Sequence, residues 1–287
     1  MMKLKRNQLL LPFIIMIIFA GCTATPQAEA DHSAQIQSDI LEKMADQKHY
    51  SFQGTTSITL SEKEMEDFVQ FNGFINNKDN MYMDLSIASI EGMAEEKMQF
   101  VQLPNKMMVR YAEEDEWEEI DKQQQTLFSE LKNWNPEYFL SMMQSNTVHT
   151  EEIKENDKHG LFIQLNQEAV REQIADQLRS TLNGGLTEKD IQEMKENLGL
   201  TNEEIAEMQG ELEEQMQATE DQIEEMLRTM QVEAHYTVFY DPSTLLIKQI
   251  EQNIRTNYQM EGEEIKKKMM IHMQLSDYGK ERSLPLP

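Results

Sequence analysis

A single cysteine, Cys22, stands in a chain of 287 residues, so no internal disulfide can brace the fold. Basic residues are scarce as well. Lys and Arg number 26 against 52 Asp and Glu, a formal net charge of −26 at pH 7. Nucleic acid and anionic lipid surfaces are both held by basic patches, so neither is an expected partner of the bare chain. No apolar run reaches the roughly 20 residues that a membrane-spanning helix needs. The run from Leu9 to Phe19 is short and is interrupted by Pro12. Signatures of catalysis are missing too. There is no Gly-x-Ser-x-Gly elbow, no phosphate-cradling glycine loop, no His-Glu-x-x-His and no calcium loop of the Asp-x-Asp-x-Asp-Gly type. The six histidines are scattered. His49 beside Tyr50 and His235 beside Tyr236 could serve as general bases, but isolated histidines are more often structural. Neither an enzyme nor a cofactor or metal is expected.

What is present begins with the leader. Lys3, Lys5 and Arg6 precede the apolar run, which ends Phe19-Ala20-Gly21 directly before Cys22. A positive start, a short apolar stretch and small residues at a cut site mark a secretory signal. With the cysteine placed just after Ala-Gly, residues 1–21 resemble a bacterial lipoprotein signal, in which the thiol is acylated and becomes the first residue. That would supply the membrane contact which charge denies, and two or more acyl chains anchor stably where one does not. Residues 22–33 are small and polar and are expected to form a tether.

Beyond it, 39% hydrophobic residues are enough for a packed core. Ile36, Ile40, Leu41 and Met44 predict a helix over 34–48. The period then becomes two, and six consecutive strands are expected between Phe52 and Trp117, joined by short turns such as Asn76–Asn80 and Pro104-Asn105. Short helices are expected at 126–132 and 136–144, strands at 148–155 and 159–166, and a helix at 167–182. Three strands close the chain, around Tyr236, Ile250 and Ile271. The count is about eleven, in an antiparallel meander. Residues 186–231 differ in kind, with fourteen acidic residues against three basic and no aromatic. Ile205, Met208, Leu212, Met216, Ile223, Met226 and Met230 make an apolar stripe there. The segment is either a solvated helix that covers the core or a mobile lid or partner-binding arm.

Several stretches carry a family likeness. They are Ser51-Phe52-Gln53-Gly54-Thr55-Thr56, Asn72-Gly73-Phe74-Ile75, Lys106–Tyr111 before Trp117, and Tyr240–Ile247. Together with the lipoprotein-like cysteine and the strand layout, they make residues 34–185 and 232–280 resemble the LolA/LppX superfamily, and within it lipoproteins of Gram-positive bacteria. The resemblance implies an α+β domain over 34–280, a curved antiparallel half-barrel whose concave face is covered by helices, with 186–231 as an acidic helical insertion. It also implies a membrane-anchored, extracytoplasmic protein that binds a lipid or other hydrophobic ligand as carrier or sensor. Phe52, Ile58, Met81, Met83, Leu85, Met107, Met269, Ile271 and Met273 are the candidate cavity residues, because alternation puts each set on one face of its strand. The competing reading is a cell-surface interaction module with a self-filled core that meets a protein partner through 186–231.

The cysteine is the first point to test. Cys22→Ser is expected to release the protein from membranes or to leave an unprocessed precursor, read by fractionation and intact mass. Normal processing and membrane retention of that variant would overturn the lipoprotein reading.

Overall fold

A computed structural model describes residues 26–60, 63–78, 80–88, 96–111, 115–120, 133–182 and 201–285. Among the described residues, alternation of apolar and polar side chains generates eleven strands. They are β1 (His49–Leu60), β2 (Lys63–Asn76), β3 (Asn80–Ile87), β4 (Glu96–Leu103), β5 (Lys106–Arg110) and β6 (Glu118–Ile120). After a helical interval come β7 (Thr147–Glu155) and β8 (Lys158–Leu165), then β9 (Gln231–Tyr240), β10 (Ile247–Met260) and β11 (Glu263–Ser276). All belong to one open antiparallel sheet in the order β6-β5-β4-β3-β2-β1-β11-β10-β9-β8-β7. Every pair of adjacent strands is consecutive in sequence except β1 and β11, which pair from Ser51↔Ser276 to Leu60↔Lys267 and join two meanders into one surface, leaving β6 and β7 as its edges.

Two hairpins turn on residue pairs that both adopt positive φ, Asn156-Asp157 and Glu261-Gly262. Such turns match the right-handed twist of the strands they connect.

Four helices accompany the sheet among the described residues: α1 (Pro26–Ala45), α2 (Pro136–Asn146), α3 (Gln167–Leu182) and α4 (Asn202–Thr229). Their starts are chemically specified. Pro136 opens α2, and the Asn135 side chain accepts a hydrogen bond from the Glu137 amide at 3.0 Å. The Asn166 side chain accepts from the amides of Glu168 and Ala169 at α3. Thr201 and Glu204 form a reciprocal capping box on α4. The helices pack on one face of the sheet, α1 over β7, α2 over β7 and β8, α3 over β9, and α4 over β10.

One boundary differs from the sequence expectation. Helix α1 begins at Pro26, so 26–33 are helical where a tether was expected. The cause is tertiary. Ser33 and Gln37 are buried, and the Gln37 amide donates to the Met143 carbonyl at 3.0 Å and to Thr147 Oγ1 at 2.9 Å, while its oxygen accepts from Thr150. The helix expected at 126–132 lies outside the described residues.

The centre of the sheet depends on two glycines. Gly73 pairs with Phe52, and Gly54 with Phe71, so each aromatic ring lies over a residue without a side chain. A methyl group at Gly73 would collide with the Tyr82 carbonyl oxygen and stand 2.7 Å from the Phe52 ring. Backbone on one side and a buried ring on the other leave nowhere for it to go. Gly73→Ala is therefore expected to destabilise the protein by about 1–3 kcal/mol through overpacking, read as a lower urea midpoint at unchanged m-value.

Candidate functional site

The antiparallel register brings all nine candidate ligand residues to the same, helix-covered face. Phe52 lies opposite Leu275, Ile271 opposite Thr56, Met269 opposite Ile58 and Met273 opposite Gly54. Across β2 and β3, Met83 stands opposite Gly73, Leu85 opposite Phe71 and Met81 opposite Ile75, while Met107 joins the same face through Gln102. Depth then divides them. Met83 and Met273 are fully buried, and Phe52, Met81, Leu85 and Ile271 are at most 3% exposed, so these six belong to the closed core. Ile58, Met107 and Met269 are half-buried. Alternation reports the face of a residue and is silent about how far along the strand its cover extends.

The cover ends near Trp134. Its ring lies 6.4 Å from that of Phe71, and its Nε1 donates to Thr56 Oγ1 at 2.9 Å. Just beyond, the β1–β2 pairing slips between Thr56 and Ile58, and such a bulge bends the strand locally. Toward the β10–β11 turn the inner face is still mostly apolar, with Lys267 opposite Leu60 and Thr256 and with Glu263 opposite Met260, but it is no longer sealed. Ile58, Ile254, Tyr258 and Met269 are half-buried, and Leu60 and Met260, of the same parity, are 47% and 38% exposed. The opposite end is closed by aromatic packing. Tyr50 and Tyr278 rings stand 5.8 Å apart, and the Tyr50 hydroxyl donates to Glu137 Oε1 at 2.7 Å.

The last turns of α4 border the open end. Met226, Leu227 and Met230 are buried in the core, with Ile223 packed against it. The Gln259 amide donates to Thr229 Oγ1 at 2.9 Å, and the Gln222 side chain donates to Glu261 Oε1 at 2.9 Å, tying α4 to the far end of β10. The stripe at 186–231 therefore includes core at its C-terminal end, whereas 217–222 are exposed. The stripe through Ile191, Met194 and Leu198 lies outside the described residues, as does Cys22.

Polar groups on the inner face are occupied with one another. Gln252 donates to the Tyr236 hydroxyl at 3.2 Å. Burial pushes the phenols of Tyr50, Tyr236 and Tyr278 well up, and that of Tyr138 to about 12, so all stay protonated at neutral pH. Burial, with Arg255 nearby, holds the His235 imidazole below its ordinary value, which favours the neutral ring. His49 shares a 3.1 Å hydrogen bond with Asn76. Among the described residues no cluster of three or more His, Cys, Asp or Glu could hold a metal, and no helix is long and apolar enough to cross a membrane.

No family model and no curated protein matches the chain. Among solved structures it is similar to LprF from Mycobacterium bovis at 7% identity, with 90% of this chain and 98% of that one covered and a TM-score of 0.42. A DUF1329 family protein from Desulfovibrio piger is similar at 8% identity over 89% and 95% of the two chains, with a TM-score of 0.30. Lipovitellin is similar at 8% identity over 83% of this chain and 26% of that one, again with a TM-score of 0.30.

Whether α4 is core or lid is decided by two substitutions. Met230→Ala is expected to cost about 2–5 kcal/mol, as for other buried methionines. Glu220→Ala, on the exposed part of the helix, is expected to stay within about 0.5 kcal/mol of the parent. Equal, negligible effects in urea unfolding would detach α4 from the core.

Proposed function

We propose that the protein is a non-enzymatic extracytoplasmic lipoprotein, tethered through acyl groups on Cys22, that takes a lipid-like ligand as carrier or sensor. The ligand would lie on the inner face at the open end, between the last turns of α4 and the far halves of β1, β10 and β11. One observation carries the reading. The face that is sealed at Met83 and Met273 continues, mostly apolar and no longer sealed, through Ile58, Tyr258, Met269, Leu60 and Met260, with Lys267 and Glu263 beside the last two. Apolar surface held partly open is costly in water unless something covers it, and contiguous patches of this kind mark sites of interaction. Methionine suits such a place, because its flexible thioether adapts to acyl chains of varying shape. The net charge of −26 would keep the folded body off an anionic bilayer while its lipid holds it nearby.

The closed core favours a second reading. Six candidate residues are consumed by packing, so the sheet could be self-filled and the acidic segment 186–231 could serve a protein partner. Native mass spectrometry of the form lacking residues 1–22 separates the two, since the first requires an extractable apolar ligand.

Two variants locate the site. Met269→Glu is expected to remain folded and to weaken binding of the neutral dye N-phenyl-1-naphthylamine by about tenfold or more. Met83→Glu places a charge in a sealed apolar layer and is expected to abolish cooperative melting or to cost several kcal/mol. A Met269→Glu protein that binds the dye as the parent does would refute the open end as the site.

A further inference from the structure

The opposite, polar face of the sheet carries a second feature. Gln274, Gln53, Asn72, Asp84, Gln99 and Arg110 form one row across β11, β1, β2, β3, β4 and β5, each the backbone partner of the next. A parallel row two residues along runs from His272 through Thr55, Gln70 and Ser86 to Lys97. The rows line a depression of 840 Å³, and Tyr111, a residue 54% exposed, forms part of its wall. That volume falls within the roughly 300–1,000 Å³ of small-molecule sites.

A solvated sheet face is usually a mixture of opposite charges, and the other half of this face is such a mixture, with Arg255 and Glu233 at 3.9 Å on β10 and β9. The depression is different in chemistry. Five of its lining side chains are amides, Gln53, Gln70, Asn72, Gln99 and Gln274, while Asp84 and Lys97 offset each other and His272 at the rim faces Glu251 at 3.5 Å. A small anion would meet Asp84, and a small cation would meet Lys97. An apolar ligand would strip water from the amides and return no hydrogen bonds. Each amide presents both donors and an acceptor, which matches a ligand whose groups also do both, as hydroxyls do. The side chains are held in position by one another. Asp84 accepts from the Tyr82 hydroxyl and from the Gln99 amide, each at 2.6 Å. Gln99 in turn accepts from Arg110, whose guanidinium lies 4.7 Å from the Trp117 ring centre. Gln53 donates to Gln274 at 3.3 Å. An exposed phenol ring at the wall offers the flat apolar surface against which the C–H face of a sugar ring packs.

We propose that this depression binds a neutral carbohydrate chain, so that the sheet carries a glycan on its polar face, independently of any ligand on its apolar face. The test uses the full-length protein in a detergent without a sugar head group, titrated calorimetrically with chitotetraose, cellotetraose and maltotetraose. At least one is expected to bind, with little dependence on salt because no ligand charge is involved. Asn72→Leu with Gln99→Leu, and separately Tyr111→Ser at an exposed position, are each expected to weaken that binding about tenfold. Glu233→Ala, on the charged half, is expected to leave it unchanged. Should the double variant fail to melt cooperatively, the Tyr111→Ser result alone decides. Absence of binding to all three probes overturns the proposal, as does binding that survives Tyr111→Ser or that collapses with added salt.

Discussion

The pairing of β1 with β11 is the interaction on which the rest of the molecule depends. Each half of the sheet is a meander of local hairpins, cheap in loop entropy and assembled from neighbours in sequence. Neither half alone presents the continuous apolar layer that both contribute to the core. The β1–β11 ladder joins them and aligns Phe52, Thr56 and Ile58 with Leu275, Ile271 and Met269. Gly54 and Gly73 then admit the Phe71 and Phe52 rings at the centre. The single layer of buried side chains that runs from Phe100 on β4 to Leu161 on β8 exists because that seam is closed.

From that seam follows the division of the inner face. Helices α1, α2 and α3 lie over the β7–β9 side, and α4 reaches β10. Trp134 and the bulge after Thr56 mark where the sealed region gives way to the half-covered end. The long strands β1, β10 and β11 outrun their cover, and the excess length is mostly apolar on the inner side, with Lys267 and Glu263 at its rim. An apolar ledge beside a methionine-bearing helix is the physical basis for the proposed ligand site. The same strands show their polar side to the outside in two ordered rows, so one set of strands serves two faces of opposite chemistry.

The chain's own pattern made much of this legible. Met81, Met83 and Leu85 alternate cleanly, and β3 lies where that alternation places it. Helix α2 begins where the stretch 136–144 places it, and Gln167–Leu182 was readable as α3 from end to end. The first turns of α1 were hidden, because 26–33 look like tether residues, and the packing that holds the helix, seen in buried Ser33 and in the bonds of Gln37 to α2 and β7, comes from distant parts of the chain. The depth of Met83 against Met269 was hidden as well, for both occupy the same phase of a period-two pattern. The polar rows were present in sequence only as unremarkable outward residues, separated by up to about 200 positions.

The sequence by itself determined the acidic surface, most of the elements and the face on which each side chain falls. These follow from local chemistry: charge, period, turn and cap. Tertiary structure alone decided that β1 lies beside β11, that Met226, Leu227 and Met230 belong to the core, and where the inner face stops being sealed. Each of those depends on residues far apart in the chain meeting at one place, and a pattern of period two or 3.6 carries no information about which distant partner arrives.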